Sequence, residues 1–419
     1  MVNEIQGGPP MKSRSLRVMQ VVSNLDVGGA QEVVRTLAEN LSKIGVVSVV
    51  CTFKDGPLRQ DIEALGIPVE ILPERRYSVI SLLSFIKENL EFRKSLKKIV
   101  DKHQIDIIQT HLLRSMDFLV LSIRSQNGPK VFWTFHNALF DLRADHLNKN
   151  QWLLKPKRFS HHLLYRIGSK YVDGIVAVSQ DVKTSILSTM RGIPSEKITV
   201  ICNCVDVERY GDGFNRDQIR RELGFGHDDQ LGVVVATFKR QKGHQFLIEA
   251  ASKLVSQFPN FHILFLGDGE LREQLMGQTH NLDLDNHIHF MGTRSDVPSV
   301  LAASDLFILP SLWEGLPMAL IEAMASELPV VATDVSGTTQ VMEDGKTGIL
   351  VHPGQSSELE DAVGKLLGDP VTAKNMGEAS RLRVEKLFSA QKQANEYLEL
   401  YKNHSLIKTP KFSFRGNQA

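Results

Sequence analysis

Short runs rich in Val, Ile and Leu alternate with amphipathic stretches of helical period almost from end to end of the chain. The apolar runs are too short for core helices and read as strands buried on both faces. Their alternation with helices is the pattern of a parallel sheet with crossover connections. In the first half the predicted strands are Val18–Ser23, Val46–Phe53, Val69–Leu72, Ile105–Thr110, Val131–Phe135, Gly174–Val178 and Ile198–Cys202. In the second they are Gly232–Ala236, His262–Leu266, Ile288–Met291, Leu306–Leu309, Val330–Thr333 and Gly348–Val351. Between them lie helices such as Gln31–Leu41, whose Val33, Val34, Leu37, Ala38 and Leu41 recur at helical spacing. The polar stretch Asp206–Gln230, with Gly211, Gly213, Gly224 and Gly226, is the expected linker and domain boundary. The expected organisation is α/β: a tail over 1–15, two doubly wound Rossmann-like domains over 16–205 and 206–388, a helix over 389–403 and a tail over 404–419. Two such domains facing each other place ligands in the cleft between them, at the carboxyl ends of the strands.

Length and composition fit this picture. The chain of 419 residues is comfortable for two domains of roughly 200 residues each. With 42% apolar and 23% charged residues it is an ordinary soluble composition, not a disordered one. No apolar run approaches the ~20 residues that span a bilayer. The first sixteen residues carry Gly7-Gly8-Pro9-Pro10 and no apolar stretch, so they read as a tail rather than a signal peptide. Three cysteines cannot form a disulfide framework, and a reducing, cytoplasmic setting is expected.

Net charge is +1, but residues 1–205 hold 28 Lys and Arg against 19 Asp and Glu, and the remainder hold 21 against 29. The basic excess clusters at Arg93, Lys94, Lys97, Lys98 and Lys102 on one predicted helix, and at Lys155, Lys157, Arg158, Arg166 and Lys170. The second cluster is interleaved with Leu153, Leu154, Phe159, Leu163 and Leu164, a mixture suited to an anionic membrane or another polyanion. A solvated helix face explains the charges equally well.

Several ligand motifs fail on spacing. Gly345-Lys346-Thr347 lacks the first glycine of a phosphate-binding P-loop, because Gln340 stands in its place. Gly267-Asp268-Gly269 follows a strand, but Arg272 occupies the third glycine position of the dinucleotide fingerprint. The turn remains suited to an anion. Asp283 and Asp285 lie in a polar loop and read as surface residues rather than a metal pair. Cys202 and Cys204 have the wrong spacing for a zinc knuckle, so no metal is implied.

Two places carry more. Asp26-Val27-Gly28-Gly29-Ala30 lies between the first strand and a helix, where paired glycines allow close backbone approach and helix amides face an anion. A plain tight turn accounts for it nearly as well. The segment from Pro310 to Ala325, PSLWEGLPMALIEAMA, follows a buried strand and places Glu314 in a loop and Glu322 in the ensuing helix, with Pro317 as a helix start. Two carboxylates at such a junction can accept hydrogen bonds from a hydroxyl-rich ligand; an acidic residue stabilising the helix end is the plainer explanation.

This block, Glu-x7-Glu, resembles that of the retaining group-1 glycosyltransferases of family four, which have the two-domain GT-B fold and use nucleotide-sugar donors. The resemblance runs from about Leu16 to Tyr401, with motifs in the family's order: Gly28-Gly29, Thr134-Phe135-His136, Val176-Ala177-Val178-Ser179, Lys242-Gly243, Gly267-Asp268-Gly269-Glu270 and Gly292. It implies that the first domain meets the acceptor, that the second binds the nucleotide sugar, and that the C-terminal helix packs back on the first domain. By the same resemblance Lys242 neutralises the donor diphosphate and Glu322 holds the ribose hydroxyls. Glu314 touches the transferred sugar together with backbone amides of Gly315, Leu316 and Met318. His136 sits beside that sugar, and Gly28 and Gly29 approach the phosphates and acceptor. Taken singly, His136 reads as a buried structural histidine and Lys242 as a helix-start lysine. His111 is a further cleft candidate, with core or surface placement equally open.

The implied reaction is transfer, with retention and without an obligatory metal or cofactor, from a nucleotide-diphosphate sugar to a glycan or polyprenyl-linked acceptor. Its expected setting is surface polysaccharide or glycoconjugate assembly at the inner face of the membrane, met by peripheral contact with anionic lipid and without nucleic acid. Epimerase and phosphorylase chemistries on this architecture fit less well, because no pyridoxal-type lysine signature is found. The chain departs from the family at Thr237, where an arginine usually partners the lysine on the diphosphate, with Lys239 and Arg240 as the nearby substitutes. Cys202-Asn203-Cys204-Val205-Asp206 replaces a Pro-Asn-Gly-Val-Asp turn, Pro317 a frequent glycine, and Gln340 a frequent glutamate. These departures keep a second class open: a non-catalytic sugar-nucleotide-binding or scaffold subunit of the same fold.

Overall fold

The computed structural model describes residues 14–26, 28–73, 82–111, 116–125, 128–136, 163–190, 192–211 and 213–404. Val27, the cluster Leu153, Leu154, Lys155, Lys157, Arg158 and Phe159, and residues 1–13 and 405–419 of the expected tails lie outside them.

Among the described residues thirteen strands form, one for each predicted run. The first sheet takes β1 (Arg17–Asn24), β2 (Val47–Lys54), β3 (Val69–Ile71), β4 (Ile107–His111), β5 (Lys130–Phe135), β6 (Gly174–Ala177) and β7 (Ile198–Val200) in the order β3-β2-β1-β4-β5-β6-β7. The second takes β8 (Gln230–Val235), β9 (Phe261–Leu266), β10 (Ile288–Gly292), β11 (Leu306–Leu309), β12 (Val330–Thr333) and β13 (Gly348–Val351) in the order β10-β9-β8-β11-β12-β13. Every pairing between them is parallel. Both are therefore doubly wound Rossmann-like sheets, with strand order reversing between β1 and β4 and between β8 and β11. Those switch points are where such sheets receive ligands.

Helices cover both faces because each sheet buries apolar side chains on both. The helix Gly29–Lys43 buries Val33, Val34, Leu37, Ala38 and Leu41. The C-terminal helix Ala390–His404 buries Ala390, Gln393, Ala394, Tyr397, Leu400 and Tyr401 and packs against it. Its tyrosines join Leu16, Val18, Ile107, Phe132 and Val176 in one apolar cluster, so the end of the chain closes a face of the first sheet.

The stretch Asp206–Gln230 is not an open linker throughout. It contains the turn Val207–Tyr210 and the helix Arg216–Leu223, which Asn215 caps and which Gly224 ends in a left-handed turn. The physical reason is Arg220, only 3% exposed, whose guanidinium donates to the carbonyls of Ala303 (2.9 Å) and Asp229 (2.8 Å) and to Asp305 Oδ2 (2.6 Å). A polar helix with one inward arginine reads as surface loop until its partners are known. The Cys202-Asn203-Cys204 turn also needs no glycine: no residue in it has positive φ, and Cys204 is buried with its Sγ donating to Gln393 Oε1 at 3.0 Å.

Arg220→Ala strands several acceptors and should cost about 2–4 kcal/mol of unfolding free energy in urea titration. A loss under about 0.5 kcal/mol, the usual scale of surface changes, would show that the helix is a passive surface feature.

Candidate active site

The loops at the carboxyl ends of the second sheet carry most of the predicted residues. After β8 the chain passes exposed Thr237, Lys239 and Arg240 to a single turn, Arg240–Lys242, and then Gly243. Gly243 has φ +65°, and a Cβ there would stand 1.9 Å from the Pro310 carbonyl oxygen. Only glycine permits that approach. It brings the turn against the loop that follows β11, where Leu312 N–H donates to the Gln241 carbonyl (2.7 Å) and Gln241 Nε2 donates to the Trp313 carbonyl (2.8 Å). Held in this way, Lys242 Nζ donates to Glu314 Oε1 at 2.6 Å, and Ser311 Oγ donates to the same oxygen at 2.6 Å. The Glu314 side chain is only 6% exposed. The pair lies at the β8/β11 switch point.

The other glycines frame it. Gly267 N–H donates to the Gly292 carbonyl at 2.8 Å, joining the ends of β9 and β10, and a Cβ on Gly267 would reach 2.0 Å from the Ala236 carbonyl oxygen. Leu316 sends its side chain into the core, so only its backbone can face a ligand. Pro317 sits one position earlier than expected: it is the N-cap, and the helix begins at Met318 and runs to Ala325.

Across the cleft, Gly28 is extended backbone at the cap of Gly29–Lys43. A Cβ on Gly29 would lie 3.4 Å from Met318 Cγ, so the glycine loop of the first domain meets the helix start of the second. Glu322, on the Met318–Ala325 helix, is partly buried. Burial above all, and the charge of Glu32, push its carboxyl up to about 7, against the Arg209 guanidinium and a hydrogen bond with Tyr210. Glu32 is itself paired with Arg35 (2.7 Å) and with Arg209.

His136 follows β5 and is 6% exposed. It meets first-domain groups: its Nε2 is 3.0 Å from Nδ1 of His111, which is fully buried at the end of β4. Burial lowers the His136 imidazole to about 4 and, with the charge of His136, lowers His111 well below the usual histidine range. Both are neutral at physiological pH. His111 thus belongs to the core beneath the site.

Sequence reasoning missed Ser311, Gln241 and the Glu32–Arg209–Tyr210 surroundings of Glu322. It named Gln340 and Cys202 but not the contacts that connect the domains: Gly337 N–H donates to Asp181 Oδ2 (3.3 Å), and Gln340 accepts from Gln180 N–H (3.2 Å) and donates to Cys202 Sγ (3.2 Å). A signal existed for one further group, since Gln20 interrupts the apolar run Val18–Val22 and Gln109 stands in the fully buried strand β4. Elsewhere, Asp285 accepts from exposed His280 at 2.9 Å in a surface loop.

Two facing Rossmann-like domains, with a cation, two carboxylates and tight glycine turns at the switch points, define a two-domain α/β protein for an anionic, hydroxyl-bearing ligand. The family described as "Glycosyl transferases group 1" matches residues 215–383, and "Glycosyltransferase Family 4" matches residues 27–209. A glycosyltransferase of Methanocaldococcus jannaschii, uncharacterized, is 30% identical over 300 residues, 68% of each chain. The UDP-Gal:alpha-D-GlcNAc-diphosphoundecaprenol alpha-1,3-galactosyltransferase of Escherichia coli is 26% identical over 330 residues, 77% of this chain and 80% of that one. The crystal structure of Anabaena Alr3699/HepE in complex with UDP and glucose superposes with a TM-score of 0.77, 21% identity, 93% coverage of this chain and 100% of that one, a likeness of fold. The chain belongs to the group-1 glycosyltransferases of family four and has their GT-B fold.

The raised Glu322 pKa has a signed consequence. An unfolded glutamate titrates near 4.5, so between that pH and about 7 the folded state holds a proton that the unfolded state does not. The stability this contributes is full below pH 4.5 and is lost as pH rises through about 7. Glu322→Gln should flatten the fall in stability between pH 5 and 8 by on the order of 2–3 kcal/mol, read by denaturant titration at each pH. An unchanged pH slope would count against a buried, protonated Glu322.

Proposed function

We propose that the protein moves a sugar, with retention, from a nucleotide-diphosphate sugar to a glycan or polyprenyl-linked acceptor. The observation that carries the reading is the Lys242–Glu314 pair held over the β8/β11 switch point by Ser311 and the Gln241–Trp313 contact. Lys242 supplies positive charge where the diphosphate departs, so the reaction needs no metal. Glu314, released from Lys242 by the incoming phosphate, accepts hydrogen bonds from sugar hydroxyls together with the amides of Gly315, Leu316 and Met318. Glu322 takes the ribose hydroxyls, and His136 meets the transferred sugar from the first domain, beside Gly28 and Gly29. The bond from the anomeric carbon to the phosphate oxygen breaks as the acceptor oxygen attacks the same face, and the acceptor proton passes to the departing phosphate.

The lipid-linked acceptor is supported by the Escherichia coli relative, whose name gives a diphosphoundecaprenol substrate. No helix among the described residues is long and apolar enough to cross a membrane. Leu163, Leu164, Ile167 and Tyr171 are exposed beside exposed Arg166 and Lys170, and Arg93, Lys94, Lys97 and Lys98 are exposed on the helix Leu82–His103, a surface suited to peripheral contact with anionic lipid at the cytoplasmic face. Lys102, by contrast, is engaged with Glu70 at 2.7 Å. Exposed Thr237, in place of the family's arginine, favours a second reading, a sugar-nucleotide-binding subunit without turnover.

A thermal-shift panel of UDP, GDP, ADP, CMP and their sugar conjugates tests the donor. One nucleotide at 100 times its dissociation constant should add ~2.7 kcal/mol of stability, abolished in Glu322→Ala and weakened in Lys242→Ala. No shift with any nucleotide overturns the reading; a shift without transfer to any lipid-linked glycan favours the subunit. Co-sedimentation with anionic vesicles at low salt, lost in neutral vesicles, is the expected result for the membrane surface, and absence of binding refutes it.

A further inference from the structure

The face of the first sheet beneath the C-terminal helix carries an unusual row of buried polar groups. Gln20 on β1 lies beside Gln109 on β4, and His111 lies beside Thr134 on β5. Gln20, Gln109, His111, Thr134 and His136 are all buried. Buried polar groups persist only when hydrogen-bonded, and in such a row each bond fixes the direction of the next.

The directions run from the C-terminal helix to the site. Gln109 Nε2 donates to Thr134 Oγ1, which leaves Gln109 Oε1 to accept the hydroxyl hydrogen of Tyr401 at 3.2 Å. With its one hydrogen used, the Tyr401 oxygen can only accept toward Gln20, and Gln20 Nε2 faces it at 3.5 Å. Gln20 Oε1 therefore turns to His111 Nε2, 2.8 Å away, and that nitrogen must carry a hydrogen. His111 Nδ1 is then a bare lone pair and accepts from His136 Nε2–H at 3.0 Å. What remains is Nδ1 of His136, buried and without a hydrogen-bond partner.

We propose that Gln20 is a positioning residue, which acts through His111 to fix His136 as the tautomer whose Nδ1 is unprotonated. His136 thereby offers its ligand a hydrogen-bond acceptor, and it selects a sugar that presents a hydroxyl donor at that point. The role in transfer rests on the function proposed above; the tautomer does not. The titratable groups along the row are His111 on β4, His136 after β5, and Tyr397 and Tyr401 on the C-terminal helix. Burial holds both histidines neutral, and the charge acting on His111 is that of His136. Both tyrosines are pushed further up by burial and stay protonated.

Nitrogen-15 spectra of the full chain labelled at histidine test the tautomer directly. His136, assigned through His136→Gln, should show an unprotonated Nδ1 and a protonated Nε2 between pH 6 and 8. The opposite tautomer, or a mixture, overturns the proposal. Kinetics test the role. Gln20→Met removes the acceptor at similar volume, and kcat should fall about tenfold or more with nucleotide affinity within about twofold, because Lys242 and Glu322 lie on the other domain and Gln20 touches neither. Gln20→Glu restores the acceptor and much of kcat, while its carboxylate raises the histidine pair. The acid limb of kcat/KM should then move up by about one pH unit or more. Unchanged kcat in Gln20→Met, or an unmoved acid limb in Gln20→Glu, overturns the positioning role. Should the unaltered chain bind no nucleotide sugar, the proposed function fails, and the spectra still decide the tautomer.

Discussion

The arrangement of the second domain turns on one ion pair. Lys242 and Glu314 come from loops separated by most of a sheet's worth of sequence, and they meet because β8 and β11 are neighbours in the strand order. Burying such a pair is costly unless its remaining hydrogen-bonding capacity is satisfied. Ser311 meets part of that need, and the fit of Gly243 under Pro310 removes the freedom that would let the lysine swing away. The pair is also poised for exchange. In the function proposed above, a diphosphate offers Lys242 a stronger partner than one carboxylate, and the displaced Glu314 then needs donors, which sugar hydroxyls supply. One contact thus fixes the loop after β11 against the turn after β8.

Among the described residues polar contacts join the two domains, and one buried apolar cluster holds residues of both. Gly29 approaches Met318, Arg209 pairs with Glu32, and Asp181, Gln180 and Cys202 meet Gly337 and Gln340. The C-terminal helix is different. It buries Tyr397 and Tyr401 against the first sheet, and Gln393 holds Cys202 and Cys204 from the same helix. The crossover between domains is therefore anchored on the first-domain side.

Most of this architecture was legible in the sequence for a physical reason. Strands of a parallel sheet are buried on both faces, so each writes a continuous apolar run, and all thirteen runs could be found. Their ends were less legible: β4 begins at Ile107 rather than Ile105, and β8 begins at Gln230 rather than Gly232, because hydrogen-bond registers, not side-chain polarity, set the limits. The helix Arg216–Leu223 was hidden because its stability rests on Arg220 finding acceptors far along the chain. The site divides in the same way. Gly243, Glu314 and Glu322 sit in local motifs, whereas the row from Tyr401 to His136 is assembled from three strands and a helix: its His111, Thr134 and His136 were legible singly, and the glutamines that join them were not.

Charge at the site makes sense of the departure at Thr237. With Lys242 matched by Glu314, the immediate surroundings are neutral before a donor arrives, and the family's arginine is not there to tip them positive. In the function proposed above, a diphosphate brings further negative charge toward the helix that carries Glu322. Were Glu322 fully ionised in that setting, repulsion would act where no arginine compensates. Its carboxyl is instead pushed up to about 7 by burial and by Glu32, so that near neutral pH it is partly neutral and that repulsion is reduced. The proton also turns Glu322 into a hydrogen-bond donor as well as an acceptor, which suits a ribose hydroxyl pair in either orientation. Exposed Lys239 and Arg240 add positive potential at the rim rather than a fixed contact on the diphosphate. If the proposed donor site holds, its binding depends on pH through Glu322 and on ionic strength through its rim, whereas an arginine-bearing site would hold the diphosphate by fixed geometry.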